Sequence, residues 1–91
     1  MKLEDALFNW LQIRLVADAR PQDHAALDTV EFFHTILIED HLVRELQITE
    51  AGDDMLQVRY TIGEQSHVKS YDRHYAEQLL QDINDNPKYN E

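Results

Sequence analysis

The sequence predicts an α+β domain of two layers, with two N-terminal helices, a three-stranded antiparallel β-meander and one C-terminal helix, in the order α-α-β-β-β-α. Three observations predict it. Apolar residues recur at helical spacing up to about Glu39, at period two between Leu42 and Tyr71, and at helical spacing again after Asp72. The turns between the period-two segments are short, so those strands must pair antiparallel. Helices packed on one face of such a sheet make a two-layer domain. With 91 residues, 43% of them hydrophobic, the chain suits one small folded unit over residues 1–91.

Leu3 to Ala19 contains no Gly, no Pro and many good helix formers. At 100° per residue, Asp5, Asn9 and Gln12 form a narrow polar stripe, and most of the remaining circumference is apolar. Such a helix is either central to the fold or covers a partner. Arg14 and Asp18 are four apart and are expected to pair.

Pro21 ends that helix and suits the first turn of the next, expected over 22–39. Ala25, Ala26, Val30, Phe33, Ile36 and Leu37 share one face of it; His24, Asp28, Glu31, Thr35 and Glu39 line the other. Asp40 falls in the apolar arc, which places the helix end near Glu39. Residues 42–49 read as a strand with Leu46 and Ile48 alternating, and Glu50–Asp54 as a hairpin loop.

Met55 to Ile62 is the clearest strand, with Leu56, Val58, Tyr60 and Ile62 on one side and Gln57, Arg59 and Thr61 on the other. Gly63-Glu64 opens a second turn before a weaker strand over 66–71. A two-residue turn would put His67 and Lys69 opposite Tyr60 and Val58. A loop one residue longer would put Val68 opposite Tyr60 and swap the whole face. Keeping Lys69 out of the core favours the longer loop. Asp72 is a good N-cap for a last helix over 73–84, with Ala76, Leu79, Leu80 and Ile83 on one face. Residues 84–91 read as a loose polar tail.

Eighteen acidic side chains against eight basic ones give a formal charge of −10 at pH 7. It is spread evenly, with three basic and eight acidic groups in 1–41 and five and ten in 42–91. Such a surface stays soluble and repels nucleic acid at long range. The acidic start and the lack of any long apolar run predict a soluble cytoplasmic protein without a membrane span. No cysteine is present, so no disulfide framework or zinc knuckle is available.

Chemical motifs are sparse. Glu31-Phe-Phe-His34 has the Glu-x-x-His spacing used in carboxylate-bridged metal sites, but no second such pair falls on an expected helix. The two serines, Ser66 and Ser70, lie in no nucleophile turn, and two isolated glycines make no phosphate loop. No enzymatic activity and no cofactor are expected. A metal-dependent activity through Glu31 and His34 ranks third among the readings.

The leading expectation is an interaction or regulatory module whose partner is another protein or a second copy of the chain. Two places suit it. One is the apolar surplus of the first helix around Leu7, Trp10, Leu11 and Arg14, where Trp and Arg are typical interface anchors. The other is the outward sheet face with Arg59, Thr61, His67, Lys69 and Tyr71, a local concentration of cations with an aromatic side chain.

In its order of elements alone, the portion from 22 to 84 resembles the double-stranded RNA-binding domains. That resemblance implies a nucleic-acid-binding alternative, and a lysine-rich cluster at the start of the last helix. Here that place reads Ser70-Tyr-Asp-Arg-His-Tyr-Ala76, with one Arg and one His beside Asp72. Phosphate neutralisation dominates such binding, so this pattern ranks nucleic acid below a protein partner.

Overall fold

Helix α1 (Leu3–Ala19) is the element around which the rest packs in the computed structural model, which describes residues 1–85. Ala6, Leu7, Trp10, Leu11, Ile13, Val16 and Ala17 are buried, and they occupy most of the helix circumference. The apolar surplus of this segment is therefore absorbed within the chain. Helix α2 (His24–His41), the C-terminal helical segment and the sheet share the work of covering it. Glu4 and Asp5 in the first turn complement the helix dipole. At the other end the Arg20 N–H bonds to Val16 O before Pro21 stops the helix.

Pro21 and Gln22 lie in a turn rather than in α2, which starts two residues later than expected. Asp23 caps it: its carboxylate accepts the Ala26 N–H at 3.0 Å. That bond, with Arg20 alongside, holds the Asp23 carboxyl below the usual carboxylate range. Ala26, Val30 and Leu37 are buried as the pattern required, while Ala25 is exposed. The helix runs past Glu39 to His41, because Asp40 points to solvent and costs nothing there.

Leu42, read as the start of a strand, is instead the C-cap of α2, in the left-handed region at φ 58° and 68% exposed. A Cβ in that region costs about 1–2 kcal/mol. Leu42→Gly is therefore expected to raise stability by about 0.5–1 kcal/mol, part of the strain relief being lost to the more flexible unfolded chain. Thermal unfolding of the two proteins at one pH checks this.

The sheet has strand order β1-β2-β3, from β1 (Val43–Glu50), β2 (Met55–Ile62) and β3 (Gln65–Asp72), all antiparallel. In β1 the apolar residues are Val43, Leu46 and Ile48, a spacing that simple alternation cannot put on one face. A bulge resolves it. Arg44 pairs with Thr61 and Gln47 with Arg59, so β1 carries one extra residue between them. Glu45 takes the positive φ (56°) that this requires, and its carboxylate accepts the Thr61 hydroxyl at 3.1 Å. Val43, Leu46 and Ile48 all turn inward as a result, towards Leu56 and Val58, which are buried.

The second hairpin corrects the sequence reading. Ile62 pairs with Gln65, Tyr60 with His67 and Val58 with Lys69, so the turn is two residues long, not three. Gly63 has φ +62° at the first central position, as a type II′ turn demands. His67, Lys69 and Tyr71 therefore lie on the helix side, and Val68 is 52% exposed on the opposite face. Lys69 is tolerated there because β3 is an edge strand. Its stem runs out of the core beside Tyr71, and its Nζ meets Glu4 of α1 at 3.4 Å. His67 stacks on Tyr60 with ring centroids 5.1 Å apart.

The last helix comes in two pieces, α3 (Arg73–Ala76) and α4 (Gln78–Asp85). Asp72 caps α3 through the Tyr75 N–H. Glu77, at φ −88° and ψ 1°, interrupts the two, although the Glu77 N–H to Arg73 O and Gln81 N–H to Glu77 O bonds carry the helical pattern across. Leu79, Leu80 and Ile83 pack on the core. Of the tail expected to be loose, residues 84 and 85 are helical, and 86–91 lie outside the described residues. No helix among the described residues is long and apolar enough to cross a membrane.

Candidate functional site: a groove beside the sheet edge

Three elements leave a groove of about 620 Å³ between them. Trp10 of α1 and Val30 of α2 line its apolar depth, with 5% and 9% of their surface exposed. Leu46 and Ile48 of β1 form one wall, turned there by the bulge at Glu45. Leu27 of α2 forms the facing wall and keeps 42% of its surface in water.

Charged groups ring the opening. Arg14 and Asp18 pair across one helical turn at 3.3 Å, with 46% and 58% of their side chains exposed. The expected pair is thus present, at the surface, where it contributes little. Glu31 and His34 lie on the α2 rim. Among the described residues no group of three or more His, Cys, Asp or Glu side chains is placed to hold a metal ion. Glu31 and His34 are rim residues of the groove.

The structure redistributes the residues expected to meet a partner. Leu7 and Leu11 are fully buried and Trp10 nearly so, which corrects the idea that their face is spare; of that group only Arg14 is exposed. The second group is divided between two faces. Arg59 and Thr61 are on the outer face, whereas His67, Lys69 and Tyr71 are on the helix side, so the proposed cationic outer patch does not form. The outer face instead holds a hollow of about 380 Å³ bordered by Glu45, Arg59 and Thr61. Thr61 is 8% exposed beneath Glu45.

Tyr71 belongs to an aromatic cluster at the start of α1. Phe8 lies 5.7 Å from the Tyr71 ring and 5.0 Å from the Tyr75 ring. The Tyr71 hydroxyl is buried without a hydrogen-bond partner, and burial, with Tyr60 and Glu4 nearby, pushes its pKa up to about 12. Below pH 10 the phenol is neutral in both folded and unfolded chains and stability does not depend on it. Above pH 10 the unfolded chain loses the proton while the folded one keeps it, so stability falls between pH 10 and 12. Tyr71→Phe is expected to flatten that alkaline limb. At pH 7 it should leave stability unchanged or raise it by up to about 1 kcal/mol, since an orphan buried hydroxyl is removed. Urea titrations at pH 7, 10 and 11.5 check both statements.

At the start of α3, where the resemblance in element order calls for lysines, Arg73 is already engaged. It bridges Glu50 at 2.9 Å and donates to Asp53 O. Sequence reasoning missed Leu27 and the β1 wall of the groove. The signal available was the odd spacing of Val43 and Leu46, which demands an extra residue in the strand. Comparison of the chain with protein-family models, with curated proteins and with solved structures finds no match.

Proposed function

We propose that the chain is a non-enzymatic protein-interaction module that docks a basic partner in the groove between α1, α2 and β1. The observation that carries this reading is an apolar-floored groove standing open on a molecule of net charge −10. Open apolar surface rimmed by polar groups is the common mark of a docking site. Trp10 adds the small exposed part of its indole to the apolar floor, and Leu27 a side chain that gains by being covered. Arg14 is balanced by Asp18, which leaves Glu31 as the uncompensated charge of the rim. The local field, like the overall one, draws cations and repels phosphate.

Trp10 is the chain's single tryptophan, so its fluorescence reports on groove occupancy. Random decapeptides selected on the immobilised protein and then titrated in solution test the reading. The expected binders combine apolar residues with Lys or Arg and perturb Trp10 emission. Leu27→Gln, on an exposed position that should leave the fold intact, is expected to weaken them about tenfold. No selected binder, or binders indifferent to Leu27→Gln, would overturn it.

A further inference from the structure

We infer that the occupant of the groove is an extended segment that adds to β1 as a fourth strand, with apolar side chains alternating into the groove and a Lys or Arg reaching Glu31. This rests on the docking reading above and specifies its mode and its partner.

The placement of the hollow is the first argument. Its lining comes from α1, α2 and β1, with no contribution from β2 or β3 among the described residues. It therefore lies on the side of β1 turned away from β2. That side is the open edge of the sheet, since among the described residues β1 pairs with β2 alone. No backbone hydrogen bond among the described residues runs from β1 to that side; the Ala51 N–H bond to Met55 O closes the hairpin with β2 instead. A row of unpaired N–H and C=O groups facing an apolar groove is the arrangement that an extended peptide satisfies. Main-chain bonds supply affinity and alternate side chains supply specificity.

The bulge is the second. An open edge invites indiscriminate pairing, and a bulge at one end blunts it. Here the irregularity is confined to the stretch between Arg44 and Gln47. Regular pairing resumes at Gln47↔Arg59 and continues through Ile48↔Val58 and Thr49↔Gln57 to Glu50↔Leu56. Four residues of regular edge, about 13 Å long, remain beside the groove. The other edge strand, β3, is regular along its whole length from Gln65 to Asp72, and it does not line this groove.

Charge selects the occupant. The side chains that an added strand points inward would cross Trp10 and Leu27 and end near Glu31. Lys and Arg suit that path, with an apolar stem over the aromatic floor and a cationic head at the carboxylate. A second copy of this chain is disfavoured, because each copy brings a charge of −10.

The test uses the full chain and the tightest decapeptide from the selection above, remade in two N-methylated forms. One carries methyl groups on the odd-numbered amides, the other on the even-numbered. In an added strand only one set of amides faces β1. One form should therefore lose affinity about tenfold or more while the other stays within about threefold of the parent. Equal effects of the two forms would overturn strand addition while leaving the groove reading in place. A selection without binders would remove both. Trp10 emission that shifts with protein concentration in the absence of peptide would assign the groove to a second copy, and would also overturn the inference.

Discussion

Replacing Trp10 with alanine is expected to lower the stability of the protein by about 3–5 kcal/mol. The side chain is 5% exposed and sits in one continuous cluster with Leu7, Leu11, Val16, Leu37 and Val58, all fully buried. Removing an indole there forfeits its transfer free energy and leaves a hole that rigid neighbours cannot close. A domain of 91 residues has a total stability of about 5–15 kcal/mol, so the variant stands near the edge of folding. Urea unfolding followed by circular dichroism reads the effect as a lower midpoint at an unchanged slope. Trp10→Phe keeps most of the volume and should cost much less. A loss below 1 kcal/mol for the alanine variant would mean that the indole is not part of the core. The result also bears on the partner site. Trp10 offers only 5% of its surface to the groove, so docking is better probed at Leu27, where little of the fold is at stake.

A cysteine pair at positions 59 and 68 is expected to form a disulfide in air and to stabilise the protein by about 2–3 kcal/mol. Arg59 and Val68 face each other across β2 and β3 on the exposed side of the sheet. Ile62 and Gln65 close the two-residue turn as a hydrogen-bonded pair, and alternation then makes 59 and 68 a non-hydrogen-bonded pair, whose side chains approach most closely. The chain has no cysteine of its own to compete. Arg59→Cys with Lys69→Cys is the control, because a turn one residue longer would place those two opposite each other. In the observed register they point to opposite faces of the sheet and should remain reduced. Thiol titration and the mass of the oxidised proteins read the outcome. Oxidation of the control pair instead of the 59/68 pair would overturn the register.

Much of the fold was legible along the chain. Periodicity alone placed α1 at its observed bounds and β2 at Met55–Ile62, because long runs of one period leave little choice. The opposite faces of α2 also emerged as expected, with His24, Asp28, Glu31, Thr35 and Glu39 exposed. Boundaries that hang on a single residue were less legible. Asp40 stays helical because it is at the surface, and Leu42 accepts a left-handed cap that no local rule assigns to leucine.

The candidate site was barely legible, for a reason that Lys69 and Leu27 make plain. A charged residue was excluded from the helix side of the sheet on the assumption that this side is uniformly dry. On an edge strand it is half open, and Lys69 reaches Glu4 from within it. Leu27 carries no local mark that separates it from any other leucine of an amphipathic helix. It matters because the bulge at Glu45 turns Leu46 and Ile48 into the space opposite.

The order of elements and their antiparallel pairing follow from the sequence by itself, since they depend on period and turn length; that α1 is central rather than the cover of a partner was decided by its burial in the structure. The hairpin register, the division of Arg59 and Thr61 from His67, Lys69 and Tyr71, and the existence of a groove were decided only by the tertiary structure. Each of these depends on which neighbour covers a side chain, and burial of that kind is a property of contacts between elements distant in the sequence.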